Sequence, residues 1–217
     1  MNWVQLRPDF YYAENIWDTQ QARDYLSAIL RDGEDPLRGF HHPNLKANRF
    51  HANPKYPVKR YMGYGHYWNP LDYLYHELQP NGARPWEIPQ WMHEISRSIL
   101  SDLFPQHLPS WQAQSALVNY YTSNSKMGLH VDKEEADHRA PVIGISFGGT
   151  CRFLFENDHG EEQSLLLPGN SLYCFGERAR LMRHGVGTTY TNTLSPESSG
   201  LLGDKERLSV TLRKIFL

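Results

Sequence analysis

Beyond Trp111 the chain breaks into short apolar or alternating runs separated by turn residues, and this punctuation limits the fold more than any other feature. The runs 115–121, 142–148, 151–156, 163–167, 171–175, 180–186 and 207–216 have strand length. Gly148-Gly149, Asn157-Asp158-His159-Gly160, Pro168-Gly169-Asn170 and the segment 188–204 read as the turns and loops between them. Strands so closely spaced fold into a sandwich or barrel. Upstream the periodicity is helical. Asp18 and Thr19 cap a helix whose apolar residues Ala22, Tyr25, Leu26, Ile29 and Leu30 share one face, with Gly33 as its stop. A second helix starts near Pro89, buries Met92, Ile95, Ile99 and Leu103, and ends at Pro105. The expectation is a mixed, mainly β chain forming a single domain over residues 1–217. Residues 1–110 would supply helices packed on one face and a lid segment, and residues 111–217 the β core.

A formal net charge of -2 excludes a globally basic nucleic-acid binder but leaves room for a local patch. Such a patch exists in the sequence: Arg38, Lys46, Arg49, Lys55, Lys59 and Arg60 occur between residues 38 and 69 with no acidic residue among them. Histidines and aromatics interleave them, and Pro43, Pro54 and Pro57 prevent a long helix there. Cys151 and Cys174 form no CxxC pair, so neither a disulfide framework nor a thiolate zinc site is expected. No apolar leader opens the chain, and no stretch approaches the roughly 18 apolar residues of a membrane span. A soluble, intracellular, cytoplasmic protein is expected.

The chemistry centres on His130-Val131-Asp132. In an extended strand, residues i and i+2 share a face, so imidazole and carboxylate can converge on one ion. The missing third ligand belongs on a later strand, and His184 suits it best, with Gly185 beside it to permit close approach. His138 falls in a charged turn and His159 in a hairpin turn. Two histidines and a carboxylate leave open positions on iron(II), and the same set also serves hydrolytic zinc sites, so ligand identity leaves both metals open.

The C-terminal run bears on that choice. In Arg207–Arg213 the alternation is strict, placing Arg207, Ser209, Thr211 and Arg213 on one side and Leu208, Val210 and Leu212 on the other. The ordinary explanation is a solvated polar face. If that face points inward, two guanidiniums need carboxylate partners, because an unpaired buried charge is very costly. A dicarboxylate cosubstrate would meet the need, and Asn119 and Tyr121, also i and i+2, would add hydrogen bonds to it.

Together, Asn119-x-Tyr121, His130-x-Asp132-Lys133-Glu134-Glu135, Arg139-Ala140-Pro141, His184 and Arg207-x5-Arg213 resemble the AlkB family of iron(II)- and 2-oxoglutarate-dependent dioxygenases. The resemblance covers roughly residues 60 to 217. It implies a double-stranded β-helix (jelly-roll) core, with iron(II) held by His130, Asp132 and His184 and with 2-oxoglutarate and O2 as cosubstrates. It implies that Arg207 grips the distal carboxylate with Tyr121 and Asn119, that Ser209 lines the same pocket, and that Arg213 lies near the metal-bound end. The implied reaction is oxidative demethylation of N-alkylated bases in DNA, with RNA as a further substrate, releasing formaldehyde, succinate and carbon dioxide. Trp68 resembles the family's base-stacking aromatic, Tyr73 its phosphate- or base-contacting tyrosine, and Glu134 the acidic residue that reads the base edge. No protein partner is implied, and a monomer is expected. The chain departs from the bacterial type member in having Glu at 134 and Ser at 209, and in lacking an arginine in the 157–160 turn.

Overall fold

The computed structural model describes residues 1–41, 60–122 and 125–217. Its strands are β1 (Val4–Arg7), β2 (Phe10–Glu14), β3 (Arg60–Gly65), β4 (Tyr67–Asn69), β5 (Leu74–His76), β6 (Ser115–Tyr121), β7 (Met127–His130), β8 (Val142–Glu156), β9 (Glu162–Leu167), β10 (Ser171–Phe175), β11 (His184–Leu194) and β12 (Arg207–Arg213). Two α-helices accompany them, α1 (Thr19–Asp32) and α2 (Gln90–Leu103). The larger sheet runs β1-β2-β10-β8-β12-β6-β3, while β7, β11 and β9 build a smaller one on the far half of β8.

Strand β8 belongs to both sheets. Residues Val142–Gly148 pair with β10 and β12, and residues beyond Gly149 pair with β9 and β11. The corner is Gly148, whose φ of 94° is open to glycine but strained for a residue with a Cβ. A Cβ at that position would also lie 2.5 Å from the Glu206 carbonyl oxygen. Gly148-Gly149, expected as a turn between two strands, is therefore a bend within one. This sharing lets two sheets face each other as a jelly roll.

The helices form largely where periodicity puts them. The Asp18 carboxylate caps α1 by accepting the Gln21 N–H at 2.8 Å, and Gly33 is its C-cap. Helix α2 has Pro89 at its N-cap rather than in its first turn. Ala22, Leu26 and Ile29 from α1 and Met92, Ile95 and Ile99 from α2 pack with Val118, Ile145, Leu208, Val210 and Leu212 in one core, on the same face of the larger sheet. Each fully buried leucine or valine there contributes roughly 2 kcal/mol. A second core, with Phe10, Tyr121, Phe153, Tyr173, Phe175 and Val186, lies between the sheets.

Several boundaries differ from those read in the sequence. The run 180–186 is not one strand: Arg180 follows a 3-10 turn at Glu177–Ala179, and β11 begins at His184. That strand continues to Leu194, so much of the expected 188–204 loop is extended. The last strand stops at Arg213, short of residue 216. Residues 1–110 supply strands as well as helices, since β2 pairs with β10 and β3 with β6. Cys151 and Cys174 are buried and free. Among the described residues no helix is long and apolar enough to cross a membrane.

Candidate active site

Strand β7 ends at His130, and Asp132 lies just past it in the loop to β8 rather than within a strand as its spacing suggested. His184 opens β11 and is the register partner of His130 across the antiparallel β7–β11 pair. The donor atoms of His130, Asp132 and His184 all lie within 4.8 Å of one another. His130 Nε2 is 3.6 Å from Asp132 Oδ1, and His184 Nε2 is 3.8 Å from Asp132 Oδ2. Each histidine points its other nitrogen at a backbone carbonyl, His130 Nδ1 at Gly128 (2.9 Å) and His184 Nδ1 at Met182 (3.2 Å). A carbonyl only accepts, so Nδ1 carries the proton and the Nε2 lone pairs face the aspartate.

The electrostatics favour a ligand set. Burial pushes His184 down to about 4, against the partial opposition of Asp132, so its imidazole is neutral at ordinary pH. For Asp132 burial acts to raise the pKa, but the charges of Arg213, then His184 and His130, outweigh it and hold the carboxyl well below the usual range. A neutral His184 imidazole and an ionised Asp132 carboxylate, with the His130 imidazole beside them, suit a divalent ion such as iron(II).

A buried network holds the aspartate loop. Arg213 reaches Asp132 Oδ2 at 2.8 Å through Nη2 and the Tyr75 hydroxyl at 2.9 Å through Nη1. Tyr75 donates to Glu135 at 2.5 Å. Arg180, 1% exposed, pairs with Glu135 at 2.7 Å and donates to the backbone carbonyls of Asp132 (2.5 Å) and Ala140 (2.9 Å). Tyr75, Glu135 and Arg180 were not singled out in the sequence. Glu135 differs there in nothing from its neighbour Glu134, and Arg180 sits in a stretch that reads as an ordinary strand.

The polar face of β12 points inward. Arg207, Ser209, Thr211 and Arg213 are all buried, which overturns the solvated explanation. Arg207 is 0% exposed; its Nη2 donates to Ser146 Oγ at 2.9 Å, while Nε and Nη1 have no partner among the described residues. Its guanidinium carbon lies 5.2 Å from the Tyr121 ring centroid. Among the described residues no carboxylate forms an ion pair with it. A buried cation in this state is what a dicarboxylate would satisfy. Tyr121 and Asn119 are the register partners of Arg207 and Ser209, so all four share the inner face.

Strands β4 and β5 form a hairpin in which Trp68 and Tyr75 are register partners and so share a face. Tyr75 ties that face to Arg213, and Trp68 beside it is half-buried. Tyr73 lies in the turn with φ 62°, its ring 5.8 Å from that of Trp68. Glu134 is half-buried and accepts the Lys133 N–H at 3.1 Å. Of the basic segment, Arg38 is engaged with Asp35 (3.2 Å) and stacks 3.4 Å over Trp86. Arg60 lies 4.6 Å over Tyr120. Lys46, Arg49, Lys55 and Lys59 lie outside the described residues.

A jelly roll that gathers two histidines and a carboxylate, with a buried arginine that no described carboxylate pairs on its inner face, defines a class of mononuclear metal oxygenases. The chain belongs to the 2OG-Fe(II) oxygenase superfamily, whose family model matches residues 9–213. It is AlkB-like within that superfamily, which uses iron(II), 2-oxoglutarate and O2. It is 34% identical over 145 residues to the alpha-ketoglutarate-dependent dioxygenase AlkB homolog of Caulobacter vibrioides, covering 65% of this chain and 60% of that one. To the DNA N(6)-methyladenine demethylase ALKBH1C of Arabidopsis thaliana it is 28% identical over 176 residues, covering 70% and 38%. The chain thus spans at most 60% of the length of these relatives. The solved structure of OsALKBH1 matches with a TM-score of 0.83 and 25% identity, over 98% of this chain and 99% of that one.

Proposed function

We propose that the protein is an iron(II)- and 2-oxoglutarate-dependent dioxygenase that demethylates N-alkylated bases in nucleic acid, with DNA the principal substrate. His130, Asp132 and His184 would hold the metal. Arg207, Tyr121, Asn119 and Ser209 would hold 2-oxoglutarate. When bound, the metal and cosubstrate supply, with O2, the hydroxylation of an N-methyl group, giving succinate and carbon dioxide, after which the hydroxymethyl group leaves nitrogen as formaldehyde.

The observation that carries this reading is the buried Arg207 guanidinium, paired with no carboxylate among the described residues and on the same face of β12 as Arg213, which contacts Asp132. A hydrolytic zinc centre has no use for that cation; a dicarboxylate does. The chain's own part is positioning. Arg213 fixes the Asp132 carboxylate, and Arg180 fixes the backbone that carries it. The backbone carbonyls of Gly128 and Met182 fix both imidazoles. Trp68 offers a flat apolar face on which a base taken out of its stack can lie. The nucleic-acid reading draws on the DNA N(6)-methyladenine demethylase of Arabidopsis thaliana to which the chain is similar and on this hairpin.

The test is formaldehyde release from a panel of methylated DNA and RNA oligonucleotides with iron(II) and 2-oxoglutarate. Release is expected from the wild-type protein and not from Asp132→Ala. Turnover of 2-oxoglutarate without formaldehyde from any oligonucleotide would assign the same chemistry to a small molecule or a protein side chain.

A further inference from the structure

Gly144 and Tyr173 are register partners across β8 and β10. A Cβ added to Gly144 would lie 2.0 Å from Tyr173 Cζ and 2.4 Å from both Cε atoms, so the phenol end of the ring occupies the space a side chain at 144 would take. The next strand beyond Gly144 is β12, where Thr211 pairs with Gly144 and Ser209 with Ser146. Register partners share a face, so the Tyr173 ring crosses β8 toward the row that holds Ser209 and Arg207. There the hydroxyl is within reach of the charges of Arg207, Asp132 and Arg213. The ring is fixed by Phe153, with centroids 4.6 Å apart, and the residue is 5% exposed.

For packing alone, phenylalanine would fill this position as well and would spare the interior a polar group. The phenol instead lies over Gly144, whose register partner on β12 is Thr211, in the inward polar row that also holds Arg207, Ser209 and Arg213. We propose that Tyr173, admitted by the bare backbone of Gly144, is a further binding residue of the cosubstrate pocket, donating to the dicarboxylate between its Arg207-bound end and its metal-bound end. This rests on the cosubstrate site proposed above. Burial pushes the phenol up to about 12, so it is neutral and donates a hydrogen bond rather than repelling a carboxylate.

Calorimetric titration of 2-oxoglutarate into the Mn(II)-loaded protein tests this without turnover. Tyr173→Phe is expected to weaken 2-oxoglutarate binding by about tenfold, the worth of one buried hydrogen bond. Its Mn(II) affinity and melting temperature should stay near wild type, because the ring and its packing remain. Gly144→Ala, which drives the ring out of its slot, should weaken binding at least as much. Tyr173→Phe binding 2-oxoglutarate within about twofold of wild type, while Arg207→Ala has lost it, overturns the role of Tyr173. Wild-type protein that binds no 2-oxoglutarate, or Arg207→Ala binding it undiminished, overturns the underlying site instead.

Discussion

His130 and His184 face each other as register partners, their ring centroids 4.5 Å apart. Beside His184, a Cβ on Gly185 would lie 2.7 Å from the Met127 carbonyl oxygen and 2.9 Å from that of Gly128. The Gly128 carbonyl is also the group that orients His130. Only a bare backbone lets β7 approach β11 this closely at the end where both histidines sit.

Gly185→Ala should therefore act on the metal site more than on the fold. Pushing β7 outward moves His130 and its orienting carbonyl together, and losses of this kind weaken metal binding by about 10- to 100-fold. Global stability should fall by only about 1–2 kcal/mol, since the strand is short and at a sheet edge. Mn(II) titration read beside urea denaturation checks both. An unchanged metal affinity would mean that the β7–β11 spacing does not set the site.

Arg207 predicts a conflict between stability and binding. In the ligand-free protein its guanidinium is buried with two unpartnered nitrogens, each a desolvation cost. Arg207→Met keeps much of the volume and removes that cost, so it should stabilise the ligand-free protein by about 1–3 kcal/mol. Adding 2-oxoglutarate should raise the melting temperature of the wild type and leave that of the variant unmoved, since only binding to the folded state stabilises it. A destabilised Arg207→Met would show that the guanidinium is already satisfied without ligand.

The Arg180–Glu135 pair, with side chains 1% and 0% exposed, makes the opposite case. Removing one member leaves the other charged and buried, a loss of about 3–5 kcal/mol. Glu135→Ala should cost that much in urea denaturation. The double replacement Arg180→Met with Glu135→Leu should recover most of the stability. It should not recover metal affinity, because Arg180 also holds the Asp132 carbonyl. Recovery of both would reduce the network to a packing element.

Local patterns carried much of this molecule. The α1 cap and stop, the β6 and β10 limits and the β12 alternation follow from neighbours in sequence, where periodicity and turn chemistry act. His184 was legible because few histidines follow residue 130 and a glycine adjoins it. What stayed hidden depends on distant partners. Gly148-Gly149 has the composition of a turn, and only the two sheets competing for β8 make it a bend within a strand. The choice between Glu134 and Glu135 is made by Arg180 and Tyr75, which lie 45 and 60 residues from Glu135 in the chain. Tyr173 gained its place from Gly144, a pairing visible only once β8 and β10 are in register.

Trp68 gives the sharpest test of the substrate side. It shares a face of the β4–β5 hairpin with Tyr75, and its ring meets that of Tyr73 edge-on, the planes 76° apart, rather than in a parallel stack. A base lying on Trp68 would gain roughly 1–3 kcal/mol. Trp68→Ala should therefore weaken binding of a methylated single-stranded oligonucleotide by about 5- to 150-fold, and Trp68→Phe by much less, because a π-face remains. The affinity for 2-oxoglutarate should be the same in all three proteins, since Trp68 is on the hairpin and Arg207 on β12. Fluorescence anisotropy with a labelled oligonucleotide, beside calorimetry for 2-oxoglutarate, separates the two effects. Equal oligonucleotide affinity for wild type and Trp68→Ala would remove Trp68 from the substrate site and leave the hairpin as a support for Arg213 through Tyr75 alone.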